Sequence, residues 1–143
     1  MELTILVIVG ILALLFAAVL AWKIVTPEIE SDRMEEIADA IHEGAMAFMH
    51  TEYKYLSVFV VVVAALLAIF LRWETAFSFV LGAFCSALAG YIGMKIATKA
   101  NVQTAQAAKT SLNKALRVAF SSGAVTGMCV VGLGLLGITG LYF

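Results

Sequence analysis

The run YLSVFVVVVAALLAIFL, residues 55–71, decides the fold class. It carries no charge and is bounded by Lys54 and Arg72. A helix needs about 20 apolar residues to cross the hydrocarbon layer, and roughly 17–25 are tolerated. In lipid every backbone polar group must be paired within its own segment, so the run reads as a helix. Three more runs flank it. Residues 75–94 lie between Glu74 and Lys95, residues 3–22 precede Lys23, and residues 118–143 follow Arg117. The chain is 63% hydrophobic, with a mean hydropathy of +1.03. Soluble domains sit at roughly 45–50%. A soluble core built from 143 residues could not hide all four runs. The fold class expected is all-α integral membrane, with four transmembrane helices and cytoplasmic helical extensions.

The rest of the chain reads as one membrane domain, residues 1–143, forming a piece of a larger membrane protein. The first run lacks the positive leader of a signal peptide, because Glu2 is the only charge before it, and it is long. It is expected to be a retained helix, ended by Thr26-Pro27. Between residues 28 and 54, Met34, Ile37, Ala38, Ile41, Ala45, Phe48 and Met49 follow a three-four spacing, with Asp32, Glu36, Asp39 and Glu43 opposite. Ser31 is placed to cap that helix. No proline separates it from the second span, so one helix of roughly 60 Å is expected from Asp32 to Leu71. Half of it must project from the bilayer, and its apolar stripe needs cover. Arg72-Trp73-Glu74 reads as a tight turn. Residues 95–117 have no Gly or Pro and extend the third and fourth spans, with a break near Asn101 or Ser111.

Charge is segregated. Residues 23–54 carry eight acids and three bases, whereas residues 95–117 carry Lys95, Lys99, Lys109, Lys114, Arg117 and no acid. Short loops rich in Lys and Arg stay cytoplasmic. That rule puts the 95–117 loop in the cytoplasm and both termini outside, in a multi-pass protein of the cell membrane. Anionic lipid and topology account for the basic loop better than nucleic acid does, so no nucleic-acid partner is expected.

Small residues mark helix contacts. The third span has Gly82, Ser86 and Gly90, and the fourth has Gly123, Gly127, Gly132, Gly134, Gly137 and Gly140. Cys85 and Cys129 read as small apolar residues within spans. Trp22, Trp73 and the tyrosines at 53, 55 and 142 suit the interface as anchors. The chemistry is sparse. None of the four spans holds Asp, Glu, Lys, Arg or His, the residues that usually carry ions or protons across a bilayer. Hydroxyls at Ser57, Ser78, Ser86, Ser121, Ser122 and Thr126 are expected to bond helix backbones. The acidic stripe reads as a solvated helix face. His42-Glu43 opens like a zinc-protease helix, but Met46 stands where the second histidine belongs. No catalytic residue, no cofactor-binding residue and no metal ligand is therefore assigned in this chain.

Several strings resemble membrane-integral pyrophosphatases, the pyrophosphate-energised proton and sodium pumps. Residues 37–48, IADAIHEGAMAF, continuing to Glu52-Tyr53-Lys54, resemble the family's entry to its second helix. Ala89-Gly90-Tyr91-Ile92-Gly93-Met94, with Ala97-Thr98, Ala100-Asn101, Thr104-Ala105 and Ala107-Ala108, resembles the third helix and its continuation. Lys114-Ala115-Leu116, Val118-Ala119-Phe120, Gly123-Ala124-Val125 and residues 130–137, VVGLGLLG, resemble the fourth. Gln103 departs from the arginine common in the family, and Ser121 and Thr126 also differ from the pattern.

The resemblance implies the N-terminal four-helix portion of a pump. Such a pump hydrolyses diphosphate with Mg²⁺ to drive ion transport and works as a homodimer in membrane lipid. Its aspartate-rich catalytic segments are similar to nothing here. The chain alone is expected to be inactive, and to brace the remaining helices as outer scaffold. The alternative is a non-catalytic four-helix membrane adaptor or assembly protein.

Overall fold

The computed structural model describes residues 2–26 and 31–142. They form four helices: α1 (Glu2–Val25), α2 (Asp32–Phe70), α3 (Trp73–Ala108) and α4 (Leu112–Tyr142). All four are long and apolar enough to cross a membrane. The chain is an all-α integral membrane protein. Each helix overruns its apolar run, because the flanking residues continue the backbone pattern without a breaker.

At the end of α1 the Trp22 carbonyl accepts twice, from the Thr26 amide at 3.1 Å and from Thr26 Oγ1 at 2.5 Å. Pro27 lies outside the described residues. α2 runs unbroken to Phe70, as the lack of proline requires. Ser31 stands at the N-cap with extended backbone, but its side chain makes no capping bond. Its carbonyl instead accepts from the Met34 and Glu35 amides.

The α2–α3 turn is tighter than the sequence suggests. Leu71 N donates to Leu67 O, and Arg72 O already accepts from Thr75 and Ala76. Only Leu71 and Arg72 lie between the helices, so Trp73 and Glu74 belong to the first turn of α3. Arg72 Nη2 closes the corner by donating to Glu74 Oε1 at 2.8 Å. α3 continues past Asn101 and stops at Ala108. The alanine-rich stretch favours helix, whereas Lys109-Thr110-Ser111 offers the backbone competing bonds. Thr110 Oγ1 and the Ser111 amide both donate to Ala107 O.

Packing is uneven. α4 lies between α1 and α3, α1 also touches α3, and α2 packs on α3 alone among the described residues. The core is the junction of α1, α3 and α4, built from Ala17, Ile24, Ala89, Ala100, Val125 and Cys129. Such small side chains let backbones approach, which dispersion rewards where lipid removes the hydrophobic drive. Cys129 is buried there, and both cysteines are free thiols.

The glycines divide in two. A Cβ on Gly132 would lie 2.7 Å from Leu14 Cδ2 and 3.0 Å from Gly10 O, and one on Gly10 would lie 3.3 Å from Gly132 O. These two glycines mark the closest approach of α1 and α4. Gly93 sits against Thr126 of α4, Gly90 against the Tyr53 hydroxyl of α2, and Gly137 near Cys85 Sγ. By contrast Gly82, Gly123, Gly127, Gly134 and Gly140 face open space within this chain. The expectation of contact therefore holds for Gly90, Gly132 and Gly137 and fails for the other five. Glycine spacing does not say which face of a helix meets a neighbour. Gly10 and Gly93 are contacts that spacing alone did not single out.

Candidate functional site

A polar concavity lies between the extensions of α2 and α3, beside the end of α1. It encloses about 630 Å³. Glu35, Asp39 and His42 enter from α2, Lys95, Thr98 and Lys99 from α3, and Thr26 closes one end. Acids on one wall thus face lysines on the other. Lys95 Nζ stands 5.9 Å over the centre of the Tyr91 ring, a cation–π approach.

One pair of the cleft's polar groups ties α2 to α3. Thr98 is buried, and its Oγ1 lies 2.9 Å from His42 Nδ1 while donating to Lys95 O at 3.1 Å. The His42–Thr98 contact is a side-chain hydrogen bond between α2 and α3. A second tie sits deeper, where Tyr53 Oη donates to Ala87 O at 2.5 Å. Gly90 makes room for that phenol, because a Cβ there would meet Tyr53 Oη at 3.2 Å. Tyr53 therefore joins helices, whereas Trp22, Tyr55, Trp73 and Tyr142 stay largely exposed, as anchors require.

The acidic stripe is dispersed. Asp39 lines the cleft, while Glu36 pairs with Arg33 at 2.6 Å on the exposed side. Glu35, which is not in the stripe, lines the cleft. Among the described residues no three His, Cys, Asp or Glu side chains come together as a metal site. The apolar stripe of α2 is half covered. Met49 is buried and Ala38 is partly buried, but Ile37 is 49%, Ile41 44% and Phe48 57% exposed. A groove of about 210 Å³ runs beside it between Met34, Ile37 and Ile41 of α2 and Val102 and Ala105 of α3.

Of the six span hydroxyls expected to bond helix backbones, Ser57, Ser78 and Thr126 do so, and Ser86, Ser121 and Ser122 are not among them. Ser57, Ser78 and Thr126 donate to the carbonyls of Lys54, Glu74 and Ser122, and Thr139 to Leu135. A third concavity, about 390 Å³, lies between α3 and α4 and is walled by Gly82, Cys85, Ser86, Gly134 and Gly137.

Comparison with known proteins matches residues 11–143 to the family described as inorganic H+ pyrophosphatase. A Clostridium tetani sequence, provisionally named a K(+)-stimulated pyrophosphate-energized sodium pump, is 56% identical over 122 residues, 85% of this chain and 18% of its own length. The K(+)-insensitive pyrophosphate-energized proton pump 2 of Moorella thermoacetica is 48% identical over 94% of this chain and 20% of its own. The K(+)-stimulated pyrophosphate-energized sodium pump of Thermotoga maritima is 42% identical over 94% of this chain and 19% of its own. The chain spans about a fifth of the length of these relatives.

Proposed function

The chain belongs to the inorganic H+ pyrophosphatase family, and from that premise we propose that it is outer scaffold of a pump coupling diphosphate hydrolysis to proton or sodium transport. In this reading it is a single membrane domain and one piece of that pump, and it supplies none of the catalytic groups. The Mg²⁺, the diphosphate and the homodimer interface belong to the complete protein in the cell membrane. The 95–117 loop faces the cytoplasm and both termini face outside. The polar cleft then flanks the cytoplasmic side of the pump.

One observation carries the reading. Gly82 and Gly134 wall an open groove between α3 and α4, and Gly123 and Gly127 lie bare on α4. Small residues that expose backbone suit a neighbouring helix better than lipid tails. The four apolar runs also hold no Asp, Glu, Lys, Arg or His to relay an ion. Further helices of the same pump are the neighbours these faces fit.

A split pump tests this. This chain is co-expressed with a Moorella thermoacetica pump lacking its own first four helices, and membranes are assayed for Mg²⁺-dependent diphosphate hydrolysis and proton uptake. Both activities should return only when the two parts are present together. Two stably inserted parts that do not associate would refute the scaffold role.

A further inference from the structure

We propose that the crevice between α1 and α4 at the inner end of their apolar runs is a binding site for the headgroup of an anionic phospholipid. The crevice encloses about 170 Å³ and is lined by Leu20, Lys23 and Ile24 of α1 and by Arg117, Val118 and Ser121 of α4, with Gln103 of α3 beside them. Its two cations stand at matching positions in the sequence. Lys23 is the first charge after the apolar run of α1, and Arg117 is the last before that of α4. The helices run antiparallel, with Gly10 against Gly132 and Ile24 near Val118, so the two cations meet at one depth. That depth is the boundary between hydrocarbon and water.

The lining changes character across this boundary. Lys23 and Arg117 are exposed and stand in neither of the ion pairs formed among the described residues, Arg33–Glu36 and Arg72–Glu74. Among the described residues no carboxylate lines the crevice. Ser121 adds a hydroxyl, and Leu20, Ile24 and Val118 supply aliphatic carbon. A guanidinium fork beside an ammonium suits a phosphodiester. The aliphatic side suits the glycerol and first acyl carbons of a lipid, which a free phosphate does not have. Basic pockets between membrane helices hold anionic headgroups in this way. The larger cleft does not compete, because Glu35 and Asp39 stand in it opposite its lysines.

The test uses the 143-residue chain in mild detergent, titrated with dioleoylphosphatidylglycerol and read by native mass spectrometry and by thermal stability. Bound phosphatidylglycerol and a raised Tm are expected, with no such effect from phosphatidylcholine. The K23Q/R117Q variant should bind on the order of thirtyfold more weakly. K109Q/K114Q removes the same charge outside the crevice and should bind like the parent. Single variants K23Q and R117Q, each expected to lose about fivefold, test the same site if the double variant does not fold. Equal losses in the two double variants would overturn the site in favour of diffuse charge attraction. Stabilisation by inorganic phosphate at the same concentration would overturn the lipid as its ligand.

Discussion

His42 of α2 and Thr98 of α3 are joined side chain to side chain at 2.9 Å, in register with the bond from Tyr53 to Ala87. Each helix travels eleven residues between the two ties, in opposite directions. Eleven residues are close to three helical turns, so both ties fall on one face of each helix, about 16 Å apart. α2 has no other neighbour among the described helices. The two bonds therefore fix its rotation and its slide along α3, which apolar contact alone would leave free.

Thr98→Val and Tyr53→Phe should each loosen α2 from α3 by about 1 kcal/mol, the usual net value of such a bond. Hydrogen exchange should rise in the first turns of α2 with Thr98→Val, while α4 stays protected. Unchanged exchange in α2 would show that the ties are not what hold it.

Gly132→Ala should destabilise the α1–α4 pair by about 1–3 kcal/mol. The new methyl would meet Gly10 O at 3.0 Å, and backbone cannot step aside as a side-chain end can. Gly93→Ala, whose methyl would meet Thr126 Cγ2 at 2.8 Å, should be milder if Thr126 rotates. Thermal unfolding in detergent checks both, and a Tm for Gly132→Ala equal to that of the parent would contradict the close approach.

Gly123→Leu should leave the stability of this chain unchanged within about 0.5 kcal/mol, because a Cβ there meets nothing. In the reconstituted split pump the same substitution should reduce association. A drop in Tm of the isolated chain would place Gly123 at an internal contact after all.

The purified chain with Mg²⁺ and diphosphate should release no orthophosphate above a protein-free blank. Hydrolysis of so anionic a substrate uses clustered carboxylates and cations. Here the acids of the α2 extension are spread along an exposed face. Sustained turnover would overturn the scaffold assignment.

Most of the fold was legible because it rests on length and charge placement. The four uncharged runs, the single proline at position 27 and the proline-free stretch into the second span predict the helices directly. The Ser111 alternative for the break proved right because Asn101 sits among alanines, which hold it in a helix. The partners of each face were not legible. Gly123 and Gly132 look alike in sequence, yet one faces open space and the other touches Gly10. Which face meets a neighbour depends on the rotation of whole helices, and a pattern within one helix does not encode it. The His42–Thr98 tie was hidden for the same reason. Nothing in either helix's own pattern pairs His42 with Thr98, and only the α2–α3 register brings them together.

The order of helices along the chain differs from their order in space. α1 and α2 make no contact among the described residues, and the main neighbour of α1 is α4. As the polypeptide leaves the ribosome, α1 must wait in lipid while two hairpin partners enter after it. The Gly10–Gly132 crossing can form only when α4 arrives. Assembly of this unit therefore closes back on α1, and a chain cut short before Gly132 would leave that helix with only its lesser contact on α3.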